Sequence, residues 1–262
     1  MIMNSGTVLA FIIIIITAGM AAERWLPANL STRLPALNLC YIPLYFLAQA
    51  ILLPAVGPVA TLAIANGGGG LFVLPSEGWA LILGAAAYVI VMDLGEYLFH
   101  RAQHRIPWLW AMHSLHHSDP EMNVSTTLRH FWAEATIKTV TIYLAIGLLM
   151  KPSPMVLTVY AAIGFWNFFP HMNLRVGLGR FALLLNSPHY HRIHHSRLPE
   201  HRDRNFAAIF PVFDWIFGTH YLPRPDEYPP TGLDDVGRIS LPKALVWPLR
   251  RYLAFSQDTQ GK

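Results

Sequence analysis

Long runs of mostly apolar residues divide the first part of the chain, and only the third of them contains charged residues, Asp93 and Glu96. Residues 7–22 (TVLAFIIIIITAGMAA), 37–65 and 79–99 are three such runs, each close to or above the ~20 residues that cross a bilayer as a helix. The leading MIMNSG contains no Lys or Arg, so we expect the first run to be a retained span and not a signal peptide. The second run is predicted to be a kinked helix or a broken hairpin because it contains Pro43, Pro54 and Pro58.

Two further apolar runs lie in the second half of the chain. Residues 135–150 and 155–170 flank KPSP, a strong turn signal, and are predicted to form a hairpin. From residue 173 onward no run is long and apolar enough to span. We therefore predict an all-α integral membrane bundle of about four to five membrane segments, some of them paired as hairpins, with a helical cap formed by the remaining chain.

Basic residues predict the orientation of this bundle. Arg24 and Arg33 follow the first span, and the loop before the third span contains no basic residue. Four basic residues follow the third span: Arg101, Arg105, Arg129 and Lys138. Because positive charge accumulates on the cytoplasmic side, the pattern places the N-terminus outside and the cap inside. Lys151, in the hairpin tip, disagrees with this orientation.

Composition supports a membrane environment and narrows the chemistry. The chain is 53% hydrophobic and 13% charged, against about 25% charged in an ordinary soluble domain. The net charge of +4 comes without a basic block, so nucleic acid is not an expected partner. Cys40 is the single cysteine, which excludes a disulfide framework and a multi-cysteine metal site within the chain. Of 13 histidines, eleven lie between His100 and His195.

Three short histidine clusters account for most of that enrichment. HRAQH (100–104), HSLHH (113–117) and HRIHH (191–195) space their imidazoles at i, i+3 and i+4, which places them on one side of a helix. His171 stands alone at the end of the last apolar run. One transition metal takes about four to six ligands, so nine imidazoles predict two metal ions close together. Solvated or internally bonded histidines are the alternative interpretation. Imidazole suits zinc, copper, nickel and iron alike, although the H-E-x-x-H and G-x-S-x-G hydrolase motifs are absent from the sequence.

The clusters and their flanking residues resemble the fatty acid hydroxylase and sterol desaturase superfamily. The similarity lies in DLGEYLFHRAQH (93–104), WLWAMHSLHHSDPEMNVSTTLR (108–129), NSPHYHRIHHS (186–196) and NFAAIFPVFDWIFGTHY (205–221), and covers about residues 80–222. Among the members of this superfamily, the segments most resemble the sterol desaturase-like and alkylglycerol monooxygenase-like proteins.

The resemblance implies a membrane di-iron oxygenase. Its cofactors would be two iron ions, which zinc replaces in some purified proteins, with O₂ as co-substrate. The implied metal ligands are His100, His104, His113, His116, His117, His171, His191, His194 and His195, with Asn167 of NFFPH as a tenth position. Bonding of Asn167 to a neighbouring helix is the equal alternative for that residue.

Several polar residues near the clusters are expected to support the metal ligands. Asp93 lies two helical turns before His100, inside an apolar helix where a carboxylate is costly, and would accept the outer N–H of a ligand ring. Glu96 or Tyr97 would lie close by, although Tyr97 also suits the membrane interface. The others expected around the site or substrate are His130, Glu134 and Asp214, the last with packing of the cap as its alternative role. His201 and His220 are expected at the surface.

The expected activity is hydroxylation or desaturation of a lipid C–H bond. Electrons must come from a separate reductase or carrier, because GLGRFA (177–182) follows no predicted strand and makes a poor dinucleotide site. Sterol, alkylglycerol, fatty acyl and carotenoid substrates stay open. A histidine-rich metal transporter or metal store is the main alternative, and a zinc hydrolase the third. We expect N-terminal spans in 1–76, a catalytic domain in 77–222 and a cytoplasmic or membrane-surface tail in 223–262.

Overall fold

A computed structural model describes residues 5–29 and 36–260, and they are mainly helical. The α-helices are α1 (Ser5–Trp25), α2 (Ala36–Asn66), α3 (Gly78–Arg105), α4 (Pro107–His117), α5 (Glu134–Lys138), α6 (Leu144–Leu149), α7 (Pro154–Gly164), α8 (Phe168–His171), α9 (Pro188–His194), α10 (Val212–Ile216), α11 (Leu241–Leu245) and α12 (Trp247–Gln260). A π-helical turn covers Thr139–Tyr143, and 3-10 turns cover Val124–Leu128, Phe165–Asn167, Gly179–Phe181 and Pro199–His201. The two short strands are β1 (Phe72–Val73) and β2 (Met150–Lys151).

Three of the described helices are long and apolar enough to cross a membrane. They cover Gly6–Trp25, Ala36–Asn66 and Gly78–Arg105. The second is one helix of 31 residues with its three prolines inside it, so the prediction of a single helix is confirmed and that of a broken hairpin is wrong. Neighbouring helices can satisfy the backbone groups that proline frees in a membrane, which explains why the helix continues. The chain is a membrane protein with an all-α bundle.

The predicted hairpin reaches the end of the bundle that lies farthest from the histidines. It rises through α5, the π turn and α6, turns at β2 and returns through α7. At its tip β2 pairs in parallel with β1, with Phe72 opposite Met150. Because β1 lies in the connection between α2 and α3, the tip of the hairpin lies at the same end of the bundle as that connection. The π turn widens the helix beside α3.

Pro107 explains the sharp corner that carries the first two histidine clusters. The residue before a proline is pushed into an extended conformation, and Ile106 has φ −99° and ψ 117°. Proline is favoured in the first turn of a helix, where α4 begins with it. The HRAQH end of α3 therefore meets the start of α4 directly.

The first helix is fastened to the cap by one buried carboxylate. Glu23 accepts hydrogen bonds from the backbone amides of Val124 at 2.7 Å and Asn173 at 2.9 Å. The backbone of Pro27 forms a bridge with Leu174 just beyond. The end of α1 thus lies beside the segments that lead into the histidine-bearing turns.

The tail after residue 222 packs against α4 and the segment that follows it. Thr231 donates to the carbonyl of Asp119 and accepts from the amide of Met122. Trp247 at the start of α12 donates through Nε1 to Ser114 Oγ on α4 at 2.9 Å. The tail therefore forms one wall of the cap.

Candidate metal centre

Four helices bring the nine clustered histidines into two adjacent groups. Within each group one ring nitrogen from every histidine lies within 4.8 Å of all the others. The first group is His100, His104, His113, His117 and His194. The second group is His116, His171, His191 and His195. The two groups meet where the rings of His117 and His195 stack with centroids 4.4 Å apart.

Each H-x-x-H-H motif supplies ligand positions to both groups. His113 and His117 enter the first group, while His116 between them enters the second. In the other motif, His194 belongs to the first group and its neighbour His195 to the second. Consecutive helical residues point about 100° apart, so an adjacent His–His pair at a helix end aims at two different centres.

Hydrogen bonds on the outer nitrogens orient the rings of the first group. Nδ1 of His100 donates to the Phe206 carbonyl at 2.8 Å, and Nδ1 of His194 donates to the Arg204 carbonyl at 2.8 Å. A carbonyl only accepts, so these neutral rings carry their proton on Nδ1 and leave the Nε2 lone pair free. Nδ1 of His104 faces a carboxylate oxygen of Asp203 at 3.4 Å.

In the second group, a backbone carbonyl orients the ring of His171, and the rings of His116 and His191 lie close to it. Nδ1 of His171 donates to the Asn167 carbonyl at 2.8 Å. Its Nε2 lies 3.1 Å from Nε2 of both His116 and His191. Neighbouring ligands of one metal ion at ~2.1 Å are roughly 3 to 3.5 Å apart, so these separations suit a shared ion.

The inward-facing nitrogens fit a metal. Buried nitrogens without a hydrogen-bond partner include Nε2 of His100, His113 and His194 and both ring nitrogens of His195. Burial, reinforced by the neighbouring imidazoles, holds the pKa of His195 and of His117 well below the usual value. Both rings are therefore neutral and have lone pairs to offer. A buried all-imidazole donor set of this size fits two transition metal ions.

The acceptor loop, residues 203–210, presents the carbonyls that orient His100 and His194. Asp214 holds it by accepting from the amides of Phe206 at 2.7 Å and Ala207 at 3.0 Å. Asp93 accepts from the amides of Ile209 at 3.0 Å and Phe210 at 2.9 Å. Our prediction that Asp93 binds a ligand ring is wrong in its partner, because the acceptor loop lies between that carboxylate and the rings. Asp214 likewise acts on the loop, which is the packing role stated as its alternative.

Tyr97 supports the same loop from α3. Its side chain is fully buried, and its hydroxyl lies 2.8 Å from Thr219 Oγ1, which donates to Asp214 at 2.7 Å. Its ring stacks on Phe217 with centroids 5.3 Å apart. The interfacial role for Tyr97 is therefore wrong, and the residue connects α3 to the segment that holds the acceptor loop.

Glu134 links three polar side chains at the edge of the first group. One carboxylate oxygen accepts from Gln103 Nε2 at 2.8 Å and lies 3.4 Å from Nδ1 of His113 and 3.2 Å from Nδ1 of His130. His130 in turn stacks on His116, with centroids 4.2 Å apart and planes 12° apart. His130 and Glu134 thus contact rings of both groups from outside.

Asn167 contacts the second group through its backbone and also borders a cavity beside that group. Its backbone carbonyl accepts from His171, and its side chain lines a cavity. This cavity of about 310 Å³ borders His100 and His113 of the first group and His116, His171 and His191 of the second. Residues of α3 and of the hairpin line it together with these rings, so a ligand within it reaches both groups.

Sequence reasoning missed some features of the site and misplaced others. Backbone carbonyls carry no side-chain signal, so nothing in the sequence marks Arg204 and Phe206. Asp203 could have been noticed as an acidic residue between arginines. His201 is buried, with 1% of its surface exposed, and lies 2.9 Å from Ser196 Oγ and 3.2 Å from Glu227, so our surface assignment is wrong. His220 is half-buried against Tyr190.

Comparison with known proteins finds relatives that align with slightly more than half of this chain. An alkylglycerol monooxygenase of Danio rerio is 36% identical over 136 residues, covering 52% of this chain and 30% of that protein. An ornithine lipid hydroxylase of Rhizobium tropici is 28% identical over 150 residues, covering 57% of this chain and 45% of that protein. A very-long-chain aldehyde decarbonylase of Oryza sativa is 30% identical over 154 residues, covering 53% of this chain and 23% of that protein. The chain thus spans less than half the length of each of these relatives.

No solved structure matches this chain. The family model for fatty acid hydroxylase matches residues 85–219, which contain both histidine groups and the acceptor loop. That match covers slightly more than half of the 262 residues. The chain belongs to the fatty acid hydroxylase family.

Proposed function

We propose that this protein is a membrane-bound non-haem di-iron oxygenase that hydroxylates, or desaturates, a C–H bond of a lipid. The observation that carries the proposal is the pair of adjacent, buried histidine groups that border one cavity. Five and four imidazoles match the ligand demand of two metal ions. The family membership supports a lipid-modifying oxygenase as the class.

The histidines of each group would hold one iron, and zinc suits the same donors in a purified protein. Two ferrous ions would supply the electrons that activate O₂, and activated O₂ is needed to attack an unactivated C–H bond. The protein's part is to orient the rings through the acceptor loop, keep water away and place the substrate carbon beside the metals. Asn167 stays in the proposal as a tenth metal-binding position.

The lipid would enter from the bilayer into the cavity between α3 and the hairpin. Apolar side chains such as Phe168 and Ala208 line that cavity together with the histidines. The relatives named for alkylglycerol and for ornithine lipid support a lipid C–H bond as the target. Sterol, alkylglycerol, fatty acyl and carotenoid remain within the proposed class.

Electrons would reach the site from the cap. Hydroxylation combines the C–H substrate, O₂, two electrons and two protons to give the alcohol and water, so a separate electron donor is required. A second cavity, of about 430 Å³, borders His104, His117 and His194 of the first group and is lined by Trp110. It offers a route to the metals away from the lipid cavity. We place this face in the cytoplasm because Arg24, Arg101 and Arg105 end the spans on that side; Arg33 lies outside the described residues.

The decisive experiment is metal analysis followed by isotope labelling. Purified protein should contain close to two irons per chain and, with dithionite and labelled ¹⁸O₂, transfer one oxygen atom to a lipid extract. Comparative lipidomics of cells with and without the protein then identifies the product. Two bound irons without O₂ consumption would instead favour the metal store or transporter.

A further inference from the structure

An ion pair lies in the wall of the lipid cavity. Lys138 Nζ on α5 donates to Glu96 Oε2 on α3, and the Tyr143 hydroxyl donates to Glu96 Oε1 at 3.4 Å. Glu96 lies within the membrane-length helix α3, where ionised groups are costly and usually functional. The metal site does not use this pair, because its side chains belong to neither histidine group.

The pair lies one helical turn from the metal-binding rings, toward the interior of the membrane. Glu96 precedes His100 by four residues on α3, and Lys138 follows Glu134 by four on α5. Four residues of helix rise about 6 Å. Both helices therefore place their charge at a similar depth, beside the same part of the cavity.

Both charges face the cavity instead of being sealed between the helices. The side chains of Lys138 and Glu96 keep 24% and 18% of their surface exposed, and both line the cavity that borders the histidines. Tyr45 and Tyr143 line it as well. An ion pair that only joined two helices would gain nothing from facing an open space that leads to the metals.

We propose that Glu96, Lys138 and Tyr143 bind an uncharged hydroxyl group of the lipid substrate, about one helical turn from the carbon that is oxidised. The inference rests on the proposed function and defines its substrate class as lipid alcohols whose reactive C–H bond lies close to the polar end. Oxidation far along a plain acyl chain does not fit this placement.

The charges of the pair explain the choice of a hydroxyl. A hydroxyl donates to the Glu96 carboxylate and accepts from the Lys138 ammonium at the same time. A fatty acid carboxylate would be repelled by Glu96, and a quaternary ammonium by Lys138. Ether and ester oxygens only accept, so they satisfy one partner and leave the other without a bond.

The test measures binding without turnover. Iron-loaded protein under argon is titrated with a long-chain vicinal diol, the dimethyl ether of that diol and the fatty acid of the same chain length. The diol should bind at least about 10-fold more tightly than either, because the ether and the carboxylate can accept from Lys138 but leave Glu96 without a donor. Equal affinity for the three probes in the native protein would overturn the proposal.

Variants then locate the discrimination. Glu96→Leu and the double variant Glu96→Leu/Lys138→Met should bind the diol and its dimethyl ether alike while keeping the native iron content, because the acceptor that only a hydroxyl satisfies is gone. Lys151→Met at the hairpin tip should behave as native protein. Unchanged discrimination in both cavity variants would refute the assignment. Failure of the proposed function would be recognised separately. The protein would then transfer no ¹⁸O to any lipid, whichever of the three probes it binds most tightly.

Discussion

Nδ1 of His100 donates to the carbonyl oxygen of Phe206 at 2.8 Å, although the two residues lie 106 positions apart. The amide of the same Phe206 is held by Asp214 at 2.7 Å. A carboxylate thereby orients a ring of the first histidine group through one peptide unit and does not touch the ring itself. The orientation of the ring therefore depends on the backbone of the acceptor loop. Substitution of the carboxylates that hold this loop tests that dependence.

His194→Ala should lower the iron content and abolish lipid oxidation. The change removes one of the five imidazoles of the first group. This ring is also the closest to that of His100, with centroids 4.4 Å apart. Iron per chain is measured on protein purified in detergent. His220→Ala is the matched control, since that ring belongs to neither group. A variant with native iron content would remove His194 from the set of ligands.

Asp93→Asn should leave the protein folded but weaken metal retention. The amide side chain keeps one acceptor oxygen and loses the other, so one of the two amides of the acceptor loop is released. The rate of iron loss to a chelator should rise several-fold, with the exposed Asp226→Asn as control. Unchanged retention would show that the loop does not need both bonds.

Glu134→Gln should disturb the first group through His113. The carboxylate accepts from Gln103 and faces Nδ1 of His113 and of His130, whereas an amide brings its own donors to the same place. A buried mismatch of this kind costs about 1–3 kcal/mol. We expect a lower melting temperature and faster iron loss than in Glu200→Gln, which changes an exposed carboxylate. Equal behaviour of the two variants would contradict the link.

Acidification should destabilise the metal-free protein. Burial holds the pKa of His113, His116, His191 and His194 well below the usual value. The unfolded chain takes up protons near pH 6.5, while the folded rings stay neutral to lower pH, so protons favour unfolding. Stability should be constant above about pH 6.5 and fall below it. Melting curves at pH 8 and pH 5.5 check this, and a melting temperature independent of pH would refute it.

Iron loading should shift that dependence to lower pH. Bound metal keeps the imidazoles deprotonated and stabilises the folded state by mass action. The melting temperature of the loaded protein should therefore change less than that of the metal-free protein between pH 8 and pH 5.5. A parallel decline of both would place the acid sensitivity outside the histidine groups.

Much of the architecture could be predicted from hydrophobic patterning. The three long runs became α1, α2 and α3, because a membrane span needs only length, low charge and backbone bonds made within the segment. The KPSP turn became the tip of the hairpin. The number of prolines in α2 could not decide between a helix and a hairpin, since only packing against neighbours satisfies the freed backbone groups.

The sequence by itself determined the types and spacing of the proposed metal ligands and, through them, the family. Imidazole spacing of three and four residues is a local property of helices, so HRAQH, HSLHH and HRIHH could be interpreted from residue spacing alone. Only the tertiary structure decided how the nine rings divide between two groups and what holds them. That division depends on the Pro107 corner and on loop 203–210 meeting α3, and contacts between residues so far apart in the chain follow from packing that no local pattern encodes.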